Sequence, residues 1–376
     1  MRTPLAWLNL WHDKPRTATA LAGTAFAVVL ILMQLGFFKS IIHTATVVYD
    51  QLEFDVVLSS VKYRQMLKAG YFNRDRLEIA RAAPEVTDAY PLFCALQLYR
   101  NPENGIKRSI LILGVDPSRN YVKVATREQL DAIFPRRRVL LDELSRPEYG
   151  PRYAGLESEI ADRDITVTSL FRLGCGFGAD GTVVASQETF SDFFTPRTTD
   201  EISLGLIKLK PGADAKAVVA KLRTMLPPDV VVHTRAEFIR QEQFYWVVKT
   251  NVGVIFGLGV AVAFLVGTAI VYQVLSADIA RRMPEYATLK AMGYPGGYLT
   301  GVIITQASII GAIGFVPGYF LAVALYDVTR RQAHIFMEMG VMLPIVVLGL
   351  SVAMCCLSGL ASLRKVHSAA PAELFT

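Results

Sequence analysis

The sequence predicts a membrane α-helical protein with four transmembrane helices, both termini cytoplasmic, and a large α+β domain between helices one and two. Three observations lead there. The 376 residues are 52% hydrophobic and only 19% charged, whereas a soluble domain carries about a quarter charged residues. The deficit sits in four uncharged stretches, 18–38, 251–275, 298–325 and 341–363, each reaching or passing the roughly 20 residues that cross a bilayer as a helix. The third is the segment 39–250, which mixes strand and helix patterns and is long enough for its own core.

Residues 1–17 open with Thr3-Pro4, a capping threonine and a first-turn proline. Leu5, Leu8 and Trp11 then share one face. They read either as a short helix lying at the membrane interface or as plain anchor sequence. The span 18–38 follows Arg2, Lys14 and Arg16, as a secretory signal would. It is longer than a usual signal core, however, and Phe37-Phe38-Lys39-Ser40 is a poor cleavage site, so it reads as a retained anchor.

Orientation follows from lysine and arginine near the span ends. Arg2, Lys14 and Arg16, then Arg281, Arg282 and Lys290, then Arg364 and Lys365, all fall on one side of a four-span chain. That side is the cytoplasm; Arg330 and Arg331 oppose it. The net charge of +6 is therefore mostly topology, not a nucleic-acid footprint.

Within 39–250, EFDVVLSS and RSILILGVD read as strands and RDRLEIARAAPEV as a helix ended by Pro84. EISLGLIKLKPG, ADAKAVVAKLRTMLPPD and VVVH form a strand–helix–strand unit. Residues 147–190 read as a smaller β subdomain. Both ends look like helical stalks: 39–49 continues span one, and Thr234 caps a helix expected to run through RAEFIRQEQFYWVVKT into span two. Cys94 and Cys175 lie in this domain, either paired or as separate buried thiols.

Catalytic signatures are missing. Five scattered histidines make no H-E-x-x-H pattern, and there is no G-x-S-x-G elbow and no G-x-x-x-x-G-K-[ST] phosphate loop. Cys355-Cys356 lacks metal-site spacing and reads as packing. The spans contain no ionisable residue of the kind a carrier or pump needs. They have small residues four apart instead: Gly253 and Gly257, Ala263 and Gly267, Gly314 and Gly318. This spacing lets helices approach closely, either between two copies or within one. Arg136–Arg138 suit an acidic partner or lipid headgroups, or are a solvated strand flank.

The loop 276–297 holds the most bounded element. Pro284 suits a first helical turn, Glu285 and Lys290 complement the helix dipole, and Gly293 can close the helix. About nine residues remain, some 13 Å, too few to be stable alone in water. Met283, Tyr286, Leu289 and Met292 form an apolar stripe suited either to lipid or to a protein groove.

MPEYATLKAMGYPGGYL (283–299) resembles the segment after the second span of FtsX-like permeases of the MacB type, the mechanotransmitting ABC transporters. LLDELSRPEYGP, LGCGFGADGTVV, LGLIKLKPGADAKAVVAKLR and SGLASLRKVHSAAPAEL extend the resemblance along the chain, which is most similar to the DevC family, permeases of tripartite exporters. The resemblance implies a MacB-type permease fold in the bacterial inner membrane: a periplasmic domain at 39–250, a short periplasmic loop at 326–340 and a cytoplasmic tail at 364–376. It implies a non-catalytic subunit of a homodimer, with ATP and magnesium bound by a separate ABC ATP-binding subunit. A periplasmic adaptor, a TolC-like outer-membrane channel and membrane lipids are the other implied partners. Pro284, Glu285, Tyr286, Leu289, Lys290, Met292 and Gly293 carry over as the ATPase-coupling helix. Gly253, Gly257, Gly267, Gly314 and Gly318 are candidates for transmembrane dimer packing. Fewer than twenty residues precede span one, so no fused ATPase domain is expected, as in DevC. Lipoprotein- or lipid-extracting permeases, and FtsX-like permeases that activate a cell-wall hydrolase, share this layout.

Overall fold

A computed structural model describes residues 14–174, 179–333 and 336–368. The interfacial helix expected at 1–17 falls almost wholly outside them, as do Cys175 and most of the C-terminal tail. The chain divides into a helical unit holding the four long apolar helices and an inserted domain of residues Ser40–Val252 with 333–336.

Helix α1 (Lys14–Thr44) is unbroken, longer than the span 18–38, because no glycine pair, proline or charge cluster interrupts it after Phe38. A turn at Ala45–Thr46 separates it from the short α2 (Val47–Asp50).

The inserted domain is built around β1 (Val56–Ser60), buried along its whole length. After β2 (Phe72–Asn73) and α3 (Asp75–Arg81) comes β3 (Val86–Arg100), a strand of 15 residues. Then follow β4 (Lys107–Val115), α4 (Arg127–Ala132), β5 (Arg138–Asp142), β6 (Glu157–Ile160), β7 (Arg163–Phe171), β8 (Thr182–Ser186) and α5 (Gln187–Phe193). The domain finishes with β9 (Glu201–Ile202), β10 (Leu204–Leu209), α6 (Ala215–Met225), β11 (Val230–Thr234) and α7 (Arg235–Phe244).

The order β11-β1-β10-β3, with antiparallel neighbours throughout, is a split β-α-β pair of the ferredoxin-like kind. The strand–helix–strand unit expected from 201–233 is present, but β1 lies between its two strands. Val56 and Leu58 join Leu77 and Leu222 in one core, while Val57 joins Phe54, Leu206 and Phe238 in the other. Alternate residues of β1 thus face opposite covered faces, which is why Val56, Val57 and Leu58 are apolar without alternation.

The second half of β3 leaves β10 and pairs with β4. From there β4, β8, β5, β7 and β6 follow in order, and β6 pairs back onto Tyr99 and Arg100 of β3. This ring closes on itself and leaves no free edge. The smaller β subdomain is therefore real but begins near Phe93, not at 147: its wall needs β3 and β4, which precede that segment by many residues.

The second stalk departs from expectation. Thr234 does cap α7, in a reciprocal capping box with Glu237. The helix then widens at Tyr245–Lys249 and stops at Thr250, whose backbone is extended (φ −94°, ψ 156°). It does not run into span two.

The helical unit comprises α1 up to Lys39, α8 (Val252–Arg281), α9 (Met283–Ala291), α10 (Gly296–Ala333) and α11 (Met342–Ser368). Four of these helices are long and apolar enough to cross a membrane, with mean hydropathy of 2.0 to 2.6 in their most apolar windows. They extend past the uncharged cores 251–275, 298–325 and 341–363 by several residues.

Close approach binds these helices. A Cβ on Gly267 would run into Met354 Sδ and lie 2.6 Å from Ala27 Cβ; on Gly318 it would lie 2.8 Å from Ala25 O. Hydroxyls tie backbones across helices, with Ser358 Oγ donating to Thr268 O at 2.7 Å and Ser351 Oγ to Gly311 O at 2.9 Å. Cys355 and Cys356 sit against Thr24 and Ser308, as packing residues do.

Candidate functional site: the short helix between spans

Helix α9 stands between α8 and α10 and occupies Met283–Ala291, nine residues. Pro284 is its second residue, where a missing N–H costs nothing. Thr288 Oγ1 donates back to Pro284 O at 2.9 Å. At the far end Met292 N donates to Thr288 O at 3.0 Å, and Gly293 turns the chain out with φ +88°. A side chain at Gly293 would meet no neighbour but would be strained by that backbone. The chain then turns into α10 through Pro295, whose carbonyl accepts from Tyr298 N.

An ionic knot that sequence reading missed stands at the entry to α9. Asp278, near the end of α8, accepts from Gln306 Nε2 of α10 at 3.0 Å and from Arg282 Nε at 3.1 Å. The side chains of Asp278 and Arg282 are only 12% and 11% exposed. Arg282 Nη1 also lies 3.7 Å from Glu285 Oε2, and Glu285 itself is largely exposed. One buried acid thus ties the exit of one span to the next, and Arg282 carries the contact on to Glu285 in the first turn of α9. A buried charge held by two donors is stable where a single one would be costly.

Outward of this knot α9 presents Pro284, Glu285, Thr288 and Ala291 to solvent, with Met292 63% and Tyr294 44% exposed beyond it. Met283, in contrast, is half-buried. The side chains of Tyr286, Leu289 and Lys290 lie outside the described residues. The expected coupling positions therefore share one short helix and its closing turn, and those that are described form an exposed polar and apolar surface.

The glycines separate into two groups. Gly267, Gly314 and Gly318 are filled from within the chain, by Met354 and Ala27, by Thr24, and by Ala25 and Val28. Their packing is intramolecular, which takes them out of the surface expected to meet a second copy. Gly257 meets nothing within 4 Å, and Val254, Ile255, Leu258, Val262 and Leu265 of α8 are exposed beside it. Gly253 is half-buried at the start of the same helix.

Elsewhere, Arg136–Arg138 line a groove of about 840 Å³ together with Arg100, Glu157 and Asp164. Arg136 reaches Asp192 at 3.4 Å and Arg100 reaches Glu159 at 2.7 Å, so the groove carries both signs of charge. Cys94 is a buried free thiol, its Sγ donating to Met66 O at 3.4 Å; burial pushes it up to about 11, so it is inert as a nucleophile. Among the described residues no cluster of His, Cys, Asp or Glu is placed to hold a metal ion.

Residues 257–371 match the family of FtsX-like permease C-terminal domains. The matched stretch includes α9, the Asp278 knot, most of α8, and the helices α10 and α11. No curated protein matches the chain. Among solved structures, the periplasmic region of MacB from Actinobacillus actinomycetemcomitans aligns over 51% of this chain and 94% of its own, at 10% identity and TM-score 0.36. The extracellular domain of the noncanonic ABC-type transporter YknZ from Gram-positive bacteria aligns over 47% and 98%, at 10% identity and TM-score 0.34. A domain of a putative permease from Porphyromonas gingivalis aligns over 49% and 88%, at 14% identity and TM-score 0.30.

Proposed function

We propose that this chain is the membrane subunit of an ATP-driven exporter and that α9 is its contact with a separate ABC ATP-binding subunit. The observation that carries the reading is the ionic knot. Asp278, Arg282 and Gln306 brace the entry to a nine-residue helix, too short to be stable alone, between two apolar helices of the stretch that matches FtsX-like permeases, and the described residues Pro284, Glu285, Thr288 and Ala291 are exposed. A rigidly mounted, solvent-facing helix can receive a push and pass it to the spans at both its ends.

In this proposal the chain performs no chemistry. ATP and magnesium are held by the partner, whose closure moves α9. A second copy of the chain docks along the exposed face of α8 around Gly253 and Gly257, where small residues allow close approach. The inserted domain, on the periplasmic side of a bacterial inner membrane, works with an adaptor and a TolC-like outer-membrane channel, as the DevC resemblance implies. The cargo is an amphiphile of glycolipid type.

Affinity purification of the full chain from membranes tests this. Recovery of an ATP-binding subunit together with a periplasmic adaptor is expected. Recovery of a peptidoglycan hydrolase and no adaptor would replace export with hydrolase activation.

A further inference from the structure

The inserted domain holds a buried acid with no cationic partner among the described residues. Glu242, on α7, is fully buried. Its Oε1 accepts from the Tyr63 hydroxyl, which is in turn 2.8 Å from the Tyr49 hydroxyl. Its Oε2 is buried without a well-formed hydrogen-bond partner. The titratable groups that face the carboxyl are Tyr49, Tyr63 and Cys94, all held neutral by burial. No lysine or arginine among the described residues forms an ion pair with it.

Against Glu242 lies a partly open cavity of about 50 Å³, also lined by Gln65, Trp246, Met66, Leu111 and Ala179. A water molecule's share of liquid is about 30 Å³, so the cavity takes one small polar head and its first methylene. Placing a carboxylate in such a wall is costly unless a cation joins it. The described residues supply none, and an indole among the lining residues favours one.

We propose that this cavity binds the head of a primary alkylammonium, with Glu242 as counter-ion and the alkyl chain leaving along the apolar wall. Burial pushes the Glu242 carboxyl up to about 7, against the pull of the Tyr63 hydroxyl and the Met66 amide. Near neutrality the empty site is therefore partly protonated. As the ammonium enters, the O–H bond of the carboxyl breaks, its proton passes to solvent and no other group is exchanged. The site lies in the inserted domain and does not rest on the proposed role of α9.

The test uses the full chain in phosphatidylcholine nanodiscs with Trp7→Phe and Trp11→Phe, leaving Trp246 as the only indole of the three in the sequence. Hexylammonium chloride and hexanol are titrated at pH 8 and pH 5. The expected result is saturable change in Trp246 emission with hexylammonium at pH 8. It should weaken at least tenfold at pH 5, with hexanol, and in Glu242→Gln. Ala179→Leu, which fills the cavity and keeps the acid, should also lose it. Equal responses to hexanol and hexylammonium, a response independent of pH, or saturation unchanged in both variants would overturn the assignment.

Discussion

Gln306 Nε2 on α10 donates to Asp278 Oδ2 on α8 at 3.0 Å, while Arg282 holds the other oxygen of the same carboxylate at 3.1 Å. These two contacts join spans two and three at the point where α9 begins. They make the mounting of α9 a property of three side chains, and each can be removed separately.

Asp278→Ala removes the buried carboxylate that accepts from both Arg282 Nε and Gln306 Nε2. Truncating one member of a buried pair costs roughly 3–5 kcal/mol, so a loss of about 3 kcal/mol is expected in detergent unfolding titrations. Gln306→Ala should cost less, about 1 kcal/mol. The double variant should fall short of the sum by on the order of 1 kcal/mol, because both act on one carboxylate. Strict additivity would mean that the knot is not a unit.

The small residues give a contrast within one bundle. Gly267→Val must displace Met354 or Ala27 and is expected to cost about 1–3 kcal/mol, as overpacking does. Gly257→Val, in open surroundings, should leave the monomer's melting temperature unchanged and weaken self-association, read by crosslinking in nanodiscs. Similar losses of melting temperature in both would show that Gly257 is packed after all.

Glu242 makes stability depend on pH with a definite sign. Its carboxyl rises from 4.5, its ordinary value, to about 7 in the folded chain. Between these values the folded state binds more protons than the unfolded state. Stability is then complete below about pH 4.5 and declines as pH rises through 7, by roughly 3 kcal/mol in all. Glu242→Gln should flatten this decline, seen as a smaller difference in melting temperature between pH 5 and pH 8. An unchanged difference would place the titrating group elsewhere.

The capping box of α7 is a simpler case. Thr234→Ala removes the acceptor for Glu237 N and should cost about 1 kcal/mol. Thr234→Ser should recover most of the lost melting temperature.

These tests also mark what was legible in sequence. The spans were readable because their charge-free runs have no other stable home, and Thr234 and Gly293 were readable because capping is local chemistry. Asp278 was not, because it stands just beyond the uncharged run and its partner Gln306 is 28 positions away. Glu242 lies in the polar string RAEFIRQEQF, which looks like a surface helix, and Tyr63 is 179 positions distant. Strand β3 hides behind Pro91, which normally argues against an interior strand. Here it sits opposite Gly205, next to the point where β3 exchanges one partner for another. The end of α7 was misread because FYWVVKT has helical composition and nothing in it announces the extended Thr250.

The most direct measurement for the proposed coupling is site-specific photocrosslinking from position 292, the exposed residue at the closing turn of α9. A benzophenone amino acid placed there in cells should capture an ABC ATP-binding subunit, and Asp278→Ala should reduce the yield severalfold by loosening the helix. Capture of lipid alone, with a folded chain and the ATP-binding subunit present, would contradict the account.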